Sequence, residues 1–138
     1  MVRVQNLEKS LDFYCNKLGL KEISRKDFSD ESFTLCFLGA DDDEEAQIEL
    51  TYNWPIEGVT PENYSGGRNF GHLAYSVENI YEYCASLIES GIIINRPPRD
   101  GRMAFIKSPD GISIELLQKG EALPISEPWL SMPNIGEW

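Results

Sequence analysis

The chain repeats itself. Val4-Gln5-Asn6-Leu7 is matched by Val77-Glu78-Asn79-Ile80, Gly19 by Gly91, and Ile48-Glu49-Leu50 by Ile114-Glu115-Leu116, always in the same order. Each copy is too short to bury a hydrophobic face alone, so the two must pair. In the first copy, residues 1–4 alternate as a strand. Asn6 then stands at an N-cap position ahead of Leu7, Leu11, Tyr14, Cys15 and Leu18 at helical spacing, and Gly19 stops the helix. Residues 21–25, 33–38 and 47–52 read as strands, and the acidic run 41–45 as a solvated loop before the last of them. In the second copy, 71–77 reads as a strand carrying His72. Asn79 caps a helix striped by Ile80, Cys84, Leu87 and Ile88, and Gly91 ends it. Strands are expected at 92–95, 103–107 and 112–117, the last two joined by the turn Ser108-Pro109-Asp110-Gly111.

Both copies therefore read β-α-β-β-β. The expected class is α+β: two tandem βαβββ modules forming a curved sheet that lines a cleft, with the helices outside. One domain of 138 residues is expected, with module 1 over about 1–54, a Pro/Gly-rich linker at 55–68, module 2 over about 69–119 and an arm at 120–138. The arm holds three prolines and two tryptophans with little periodicity. It reads as an extended segment packed on the surface; the alternative is that exposed tryptophans reach a second subunit.

The repeat places one carboxylate at the same point of each copy. Glu49 and Glu115 both sit between apolar strand neighbours, a costly position unless something pairs with them. A single partner for both points to a metal ion. His72 is the only histidine. One imidazole and two carboxylates suit a divalent ion such as Zn, Ni, Mn or Fe, not a thiolate-seeking one. His72 precedes Val77 by five positions, so its counterpart in the first copy falls two residues before Met1. Either the site has three protein ligands or a fourth lies upstream of this chain; the second is the expectation. Arg3, Arg68 and Arg96, with Asn53 four residues after Glu49, form a receptor for a carboxylate-bearing substrate if they rim one cleft.

Bulk properties narrow the partners. With 12 basic against 23 acidic side chains, the net charge of −11 leaves no basic footprint for nucleic acid. No run of 18 apolar residues suggests a membrane span, and no signal peptide opens the chain, so a cytoplasmic protein is expected. Cys15, Cys36 and Cys84 fit neither a disulfide framework nor a CxxC zinc site, and read as reduced thiols.

The strings MVRVQNLEKSLDFYCNKLGL, IELTYNW, GHLAYSV and SPDGISIELLQ resemble the glyoxalase I (lactoylglutathione lyase) family of the vicinal oxygen chelate superfamily, over residue 1 to about residue 119. The resemblance implies isomerisation of the methylglyoxal–glutathione hemithioacetal to S-lactoylglutathione, by metal-assisted proton transfer through an enediolate, in methylglyoxal detoxification. Glu49, His72 and Glu115 fall on three of the family's four metal ligands, the fourth belonging two residues before Met1. It implies Glu115 as the base, with Glu49 as the alternative. Arg3, Asn53, Arg68 and Arg96 fall on or near positions that bind glutathione, the co-substrate. A homodimer with sites at the subunit interface is implied, and the short bacterial-type chain favours Ni(II) or Co(II), with Zn(II) as the alternative. Competing readings are another enzyme of the superfamily or a metal-free binding module of the same fold. An extradiol dioxygenase would need a second histidine, which is absent; unpaired carboxylates in a dry cleft weigh against the metal-free module.

Overall fold

The computed structural model describes residues 1–41 and 43–138, and of Glu44 the backbone alone. It divides into two compact units, Met1–Ser65 and Gly66–Trp138. In the first, β1 (Val2–Arg3) leads to α1 (Leu7–Leu11), which continues as a π-helical stretch at Asp12–Lys17, then β2 (Lys21–Phe28), β3 (Phe33–Ala40) and β4 (Asp43–Asn53). The sheet order is β1-β4-β3-β2, with β1 parallel to β4 and the other pairs antiparallel. Asn6 caps α1 as expected, its side chain accepting from Lys9 N at 2.9 Å. Gly19 ends the helical segment at φ 77°, a left-handed conformation that favours glycine. The π-helical turns change which side chains face inward. Phe13, Tyr14 and Leu18 are buried, whereas Leu11 and Cys15, expected on that face from 3.6-residue spacing, are only partly covered.

The acidic run is strand from Asp43 onward, with Asp41 in a turn. β4 begins at Asp43 and pairs with β3 at Ala40↔Asp43, after a register shift beyond Leu38↔Ile48. Backbone hydrogen bonds do not depend on side-chain polarity, so charged residues can extend a ladder while their side chains stay in water, the surplus being taken up by the irregularity. Asp42, part of the expected loop, lies outside the described residues.

The second unit contains β5 (Leu73–Val77), α2 (Ile80–Glu89), β6 (Met103–Lys107) and β7 (Ser113–Gln118), in the sheet order β5-β7-β6. Asn79 caps α2 by accepting from Tyr81 N and Glu82 N at 3.1 and 3.2 Å. Gln118, buried at the end of β7, accepts from Ile80 N at 2.9 Å and donates to Glu78 O at 2.7 Å, locking the helix start to the sheet. Ile80, Cys84 and Leu87 are buried as the stripe requires, and α2 packs on β6 and β7. The strand expected at 92–95 does not form. A single bridge, Arg96↔Phe105, stands in its place. Pro97 and Pro98 follow at once and carry no N–H to continue the pairing.

The repeat holds to the register. Val2↔Leu50 in one sheet has its counterpart in Tyr75↔Leu116, and Phe37↔Glu49 in Phe105↔Glu115. The segment after β7 folds back on its own unit. Trp129, far from exposed, is buried and stacks on Tyr81 at 5.9 Å with ring planes 5° apart. No helix among the described residues is long and apolar enough to cross a membrane.

Candidate metal centre and substrate site

Strand alternation gives each sheet a buried face and a more open one. On β4, Ile48 and Leu50 are buried, which turns Glu49, Thr51 and Asn53 to the other face. Arg3 joins them there, because it is the register partner of Thr51, and Phe37 lies opposite Glu49. The Thr51 hydroxyl donates to Glu49 Oε1 at 3.1 Å. Asn53 ends the strand at a cleft of about 250 Å³ lined by Gln5, Trp54, Ile56 and Tyr64 among others. Trp54 holds this corner: its Nε1 donates to Thr34 Oγ1 at 2.9 Å, and that hydroxyl donates to Asp27 Oδ1 at 2.7 Å. Asn53 Nδ2 lies 3.4 Å from the Tyr64 hydroxyl.

In the second unit the same logic applies to β7. Ile114 and Leu116 are buried, so Glu115 faces the open side, with Phe105 directly across from it on β6. His72 sits just ahead of β5 and not on the strand, as its sequence pattern had suggested. Its Nε2 stands 3.1 Å from Glu115 Oε2, with side-chain exposures of 43% and 15%. Phe105 meets the imidazole edge-on, centroids 5.5 Å apart and planes at 87°. Arg68 is exposed in a turn four residues before His72. Arg96 is engaged differently: its guanidinium donates to Met103 O at 2.7 Å and to Asp100 Oδ2 at 3.0 Å, closing the loop that leads into β6.

The residues fit a metal site in part. Two donors about 2.1 Å from one ion and at right angles stand about 3 Å from each other, which is the separation His72 and Glu115 already have. Nitrogen and carboxylate donors of this kind suit a borderline divalent ion. Among the described residues, no three His, Cys, Asp or Glu side chains come together. Burial raises all three thiols, Cys36 to about 11 and Cys84 to about 12, which favours their protonated form. Sequence reasoning overlooked Thr51, Tyr64 and Phe105. Phe105 had a usable signal, since hairpin register through the Ser108–Gly111 turn puts it opposite Glu115.

Residues 1–116 match the family described as the Glyoxalase/Bleomycin resistance protein/Dioxygenase superfamily. The chain belongs to that superfamily. Among its glyoxalase relatives, a lactoylglutathione lyase of Neisseria meningitidis is 42% identical over 125 residues, covering 86% of this chain and 87% of the relative. A probable lactoylglutathione lyase of Synechocystis is 40% identical over 86% of this chain and 91% of its own length. Of the solved structures, the trypanothione-dependent glyoxalase I of Leishmania major superposes with a TM-score of 0.75 at 37% identity, over 86% of this chain and 82% of that one.

Proposed function

We propose that this glyoxalase-family protein is a lactoylglutathione lyase, isomerising the hemithioacetal of methylglyoxal and glutathione to S-lactoylglutathione. The observation that carries the reading is the convergence of His72 Nε2 and Glu115 Oε2 at 3.1 Å on an open sheet face. His72, Glu115 and Glu49 would hold one divalent ion, with Ni(II) or Co(II) preferred and Zn(II) as the alternative. When bound, that ion supplies the positive charge that stabilises an anion developing on the substrate's oxygens.

Glu115 acts as the base. Its carboxylate takes the proton from the carbon bearing sulfur, and the electron pair of that C–H bond passes into an enediolate double bond. The same proton is then returned to the adjacent carbon, and the hydroxyl proton of the thiohemiacetal carbon passes to the former ketone oxygen, so the thiohemiacetal carbon ends as a thioester carbonyl and the former ketone as a secondary alcohol. Phe105, edge-on to His72, keeps bulk water off one side of the imidazole. Glu49, held by the Thr51 hydroxyl, serves as a fixed ligand and is the alternative base. Arg3, Asn53 and Arg68 bind the glutathione portion. Arg96 contributes through the loop its guanidinium already closes.

The two modules and the arm work as one catalytic domain, and the protein acts as a homodimer in the cytoplasm, its thiols free. The second unit supplies two donors and the first unit supplies Glu49. We place the site across two copies of the chain, Glu49 from one and His72 with Glu115 from the other. The deciding experiment is an assay of the purified protein, loaded in turn with nickel, cobalt and zinc, for S-lactoylglutathione formation. Turnover with at least one metal is expected; none with all three sinks the reading.

A further inference from the structure

The superfamily match ends at residue 116, yet the chain after β7 is tied to the second unit at every stage. Leu123 N donates to Gly101 O at 3.0 Å, and the Tyr81 hydroxyl donates to Pro124 O at 3.1 Å beneath the stacked Trp129. Farther on, Arg99 Nε donates to Met132 O at 2.9 Å, Asn95 Nδ2 donates to Ile135 O at 2.8 Å, and Ile135 N donates to Asn95 O at 2.9 Å. This track delivers Trp138 to Phe105, ring centroids 6.5 Å apart and planes at 35°. Phe105 is in turn edge-on to His72 at 5.5 Å and opposite Glu115 in the sheet. Three rings thus run in a row from the arm to the proton-transfer pair.

The two tryptophans of the arm do different things. Trp129 is 6% exposed and anchors the segment, whereas Trp138 is 43% exposed and keeps an open indole surface beside the site. Met103 and Leu117 lie two residues from Phe105 and Glu115 on the same sheet face, opposite each other in register and partly covered. The surface next to the reacting carbons is therefore thioether, aliphatic and aromatic. Glutathione's end of the substrate carries carboxylates and needs cations. The end that this apolar wall suits is the substituent on the former ketone carbon.

Resting on the lyase reading above, we propose that Trp138 is a specificity-determining residue that selects adducts of 2-oxoaldehydes bearing an aryl substituent over those bearing methyl. An aryl ring can lie against the indole and meet Phe105 edge-on, a pairing that a methyl group cannot make.

The test compares S-benzylglutathione with S-methylglutathione, titrated calorimetrically into the nickel-loaded protein, alongside the kcat/KM ratio for phenylglyoxal and methylglyoxal adducts. Trp138→Ala is expected to weaken S-benzylglutathione about tenfold and lower the phenylglyoxal preference in step, leaving S-methylglutathione unchanged. Trp138→Phe should restore most of the loss. Equal weakening of both thioethers reduces Trp138 to a packing residue and overturns the proposal, as does no weakening of either. Wild-type protein that binds neither thioether overturns the glutathione reading and this proposal with it. Wild-type binding that is indifferent to Trp138 overturns the proposal alone.

Discussion

Glu49 and Glu115 occupy the same register in two sheets, but their neighbours divide the labour. Glu49 is oriented by a hydroxyl two residues along its own strand, and Glu115 faces an imidazole. Glu115→Gln keeps the shape and the oxygen but removes the proposed base. We expect kcat to fall by about 10²–10⁴ while S-benzylglutathione still binds, read by steady-state kinetics and calorimetry; undiminished turnover would move the base to Glu49. Arg68, exposed and charged, is expected to act on substrate binding and not on chemistry. Arg68→Ala should raise KM for the glutathione adduct about tenfold with kcat retained, and an unmoved KM removes it from the site. The two glutamates stood out because the repeat placed a carboxylate at the same strand position twice, and His72 because the chain has one histidine. Thr51 and Phe105 were not, because a threonine and a phenylalanine in a strand look like ordinary packing until the register shows what stands beside them.

At the scale of elements, local signals did well wherever the physics is local. Both helix caps, both glycine stops and the Ser108–Gly111 turn formed as their residues dictate. Asn79→Ala leaves Tyr81 N and Glu82 N without their acceptor and should cost about 1 kcal/mol, measurable by chemical denaturation. The 96–103 loop shows what local pattern could not supply. Burial works against the charge of Asp100, but donation from Arg102 N, Arg96 and Met103 N outweighs it and holds its carboxyl below the ordinary value. A depressed folded-state pKa stabilises above the unfolded value and is lost as pH falls through the folded one. Acidification through and below the usual carboxylate range should therefore loosen this loop, and with it Arg99 and the arm. Tryptophan fluorescence followed against pH should show that transition in the wild type and lose it in Asp100→Asn. The strand expected at 92–95 failed for a related reason: its apolar β-branched residues favour pairing, but two prolines just beyond it end the ladder after one bridge.

At the scale of the whole molecule, the proposed sharing of ligands between two copies makes a direct prediction. Glu49→Ala and His72→Ala should each be inactive alone. Mixed dimers of the two should regain about a quarter of wild-type activity, because half the dimers are mixed and each of those carries one intact site. No recovery on co-refolding would place all ligands in one copy. The sequence by itself determined the repeat, the βαβββ order of the first unit, the superfamily and the recurrence of one strand carboxylate in each copy. All of these follow from period, caps and a repeated carboxylate, which are properties of neighbours along the chain. Only the tertiary structure decided that the second sheet has three strands, that His72 and Glu115 converge at 3.1 Å, and that the arm returns to set Trp138 against Phe105. Those outcomes depend on contacts between residues far apart in sequence. No local pattern encodes a partner that only folding brings within reach.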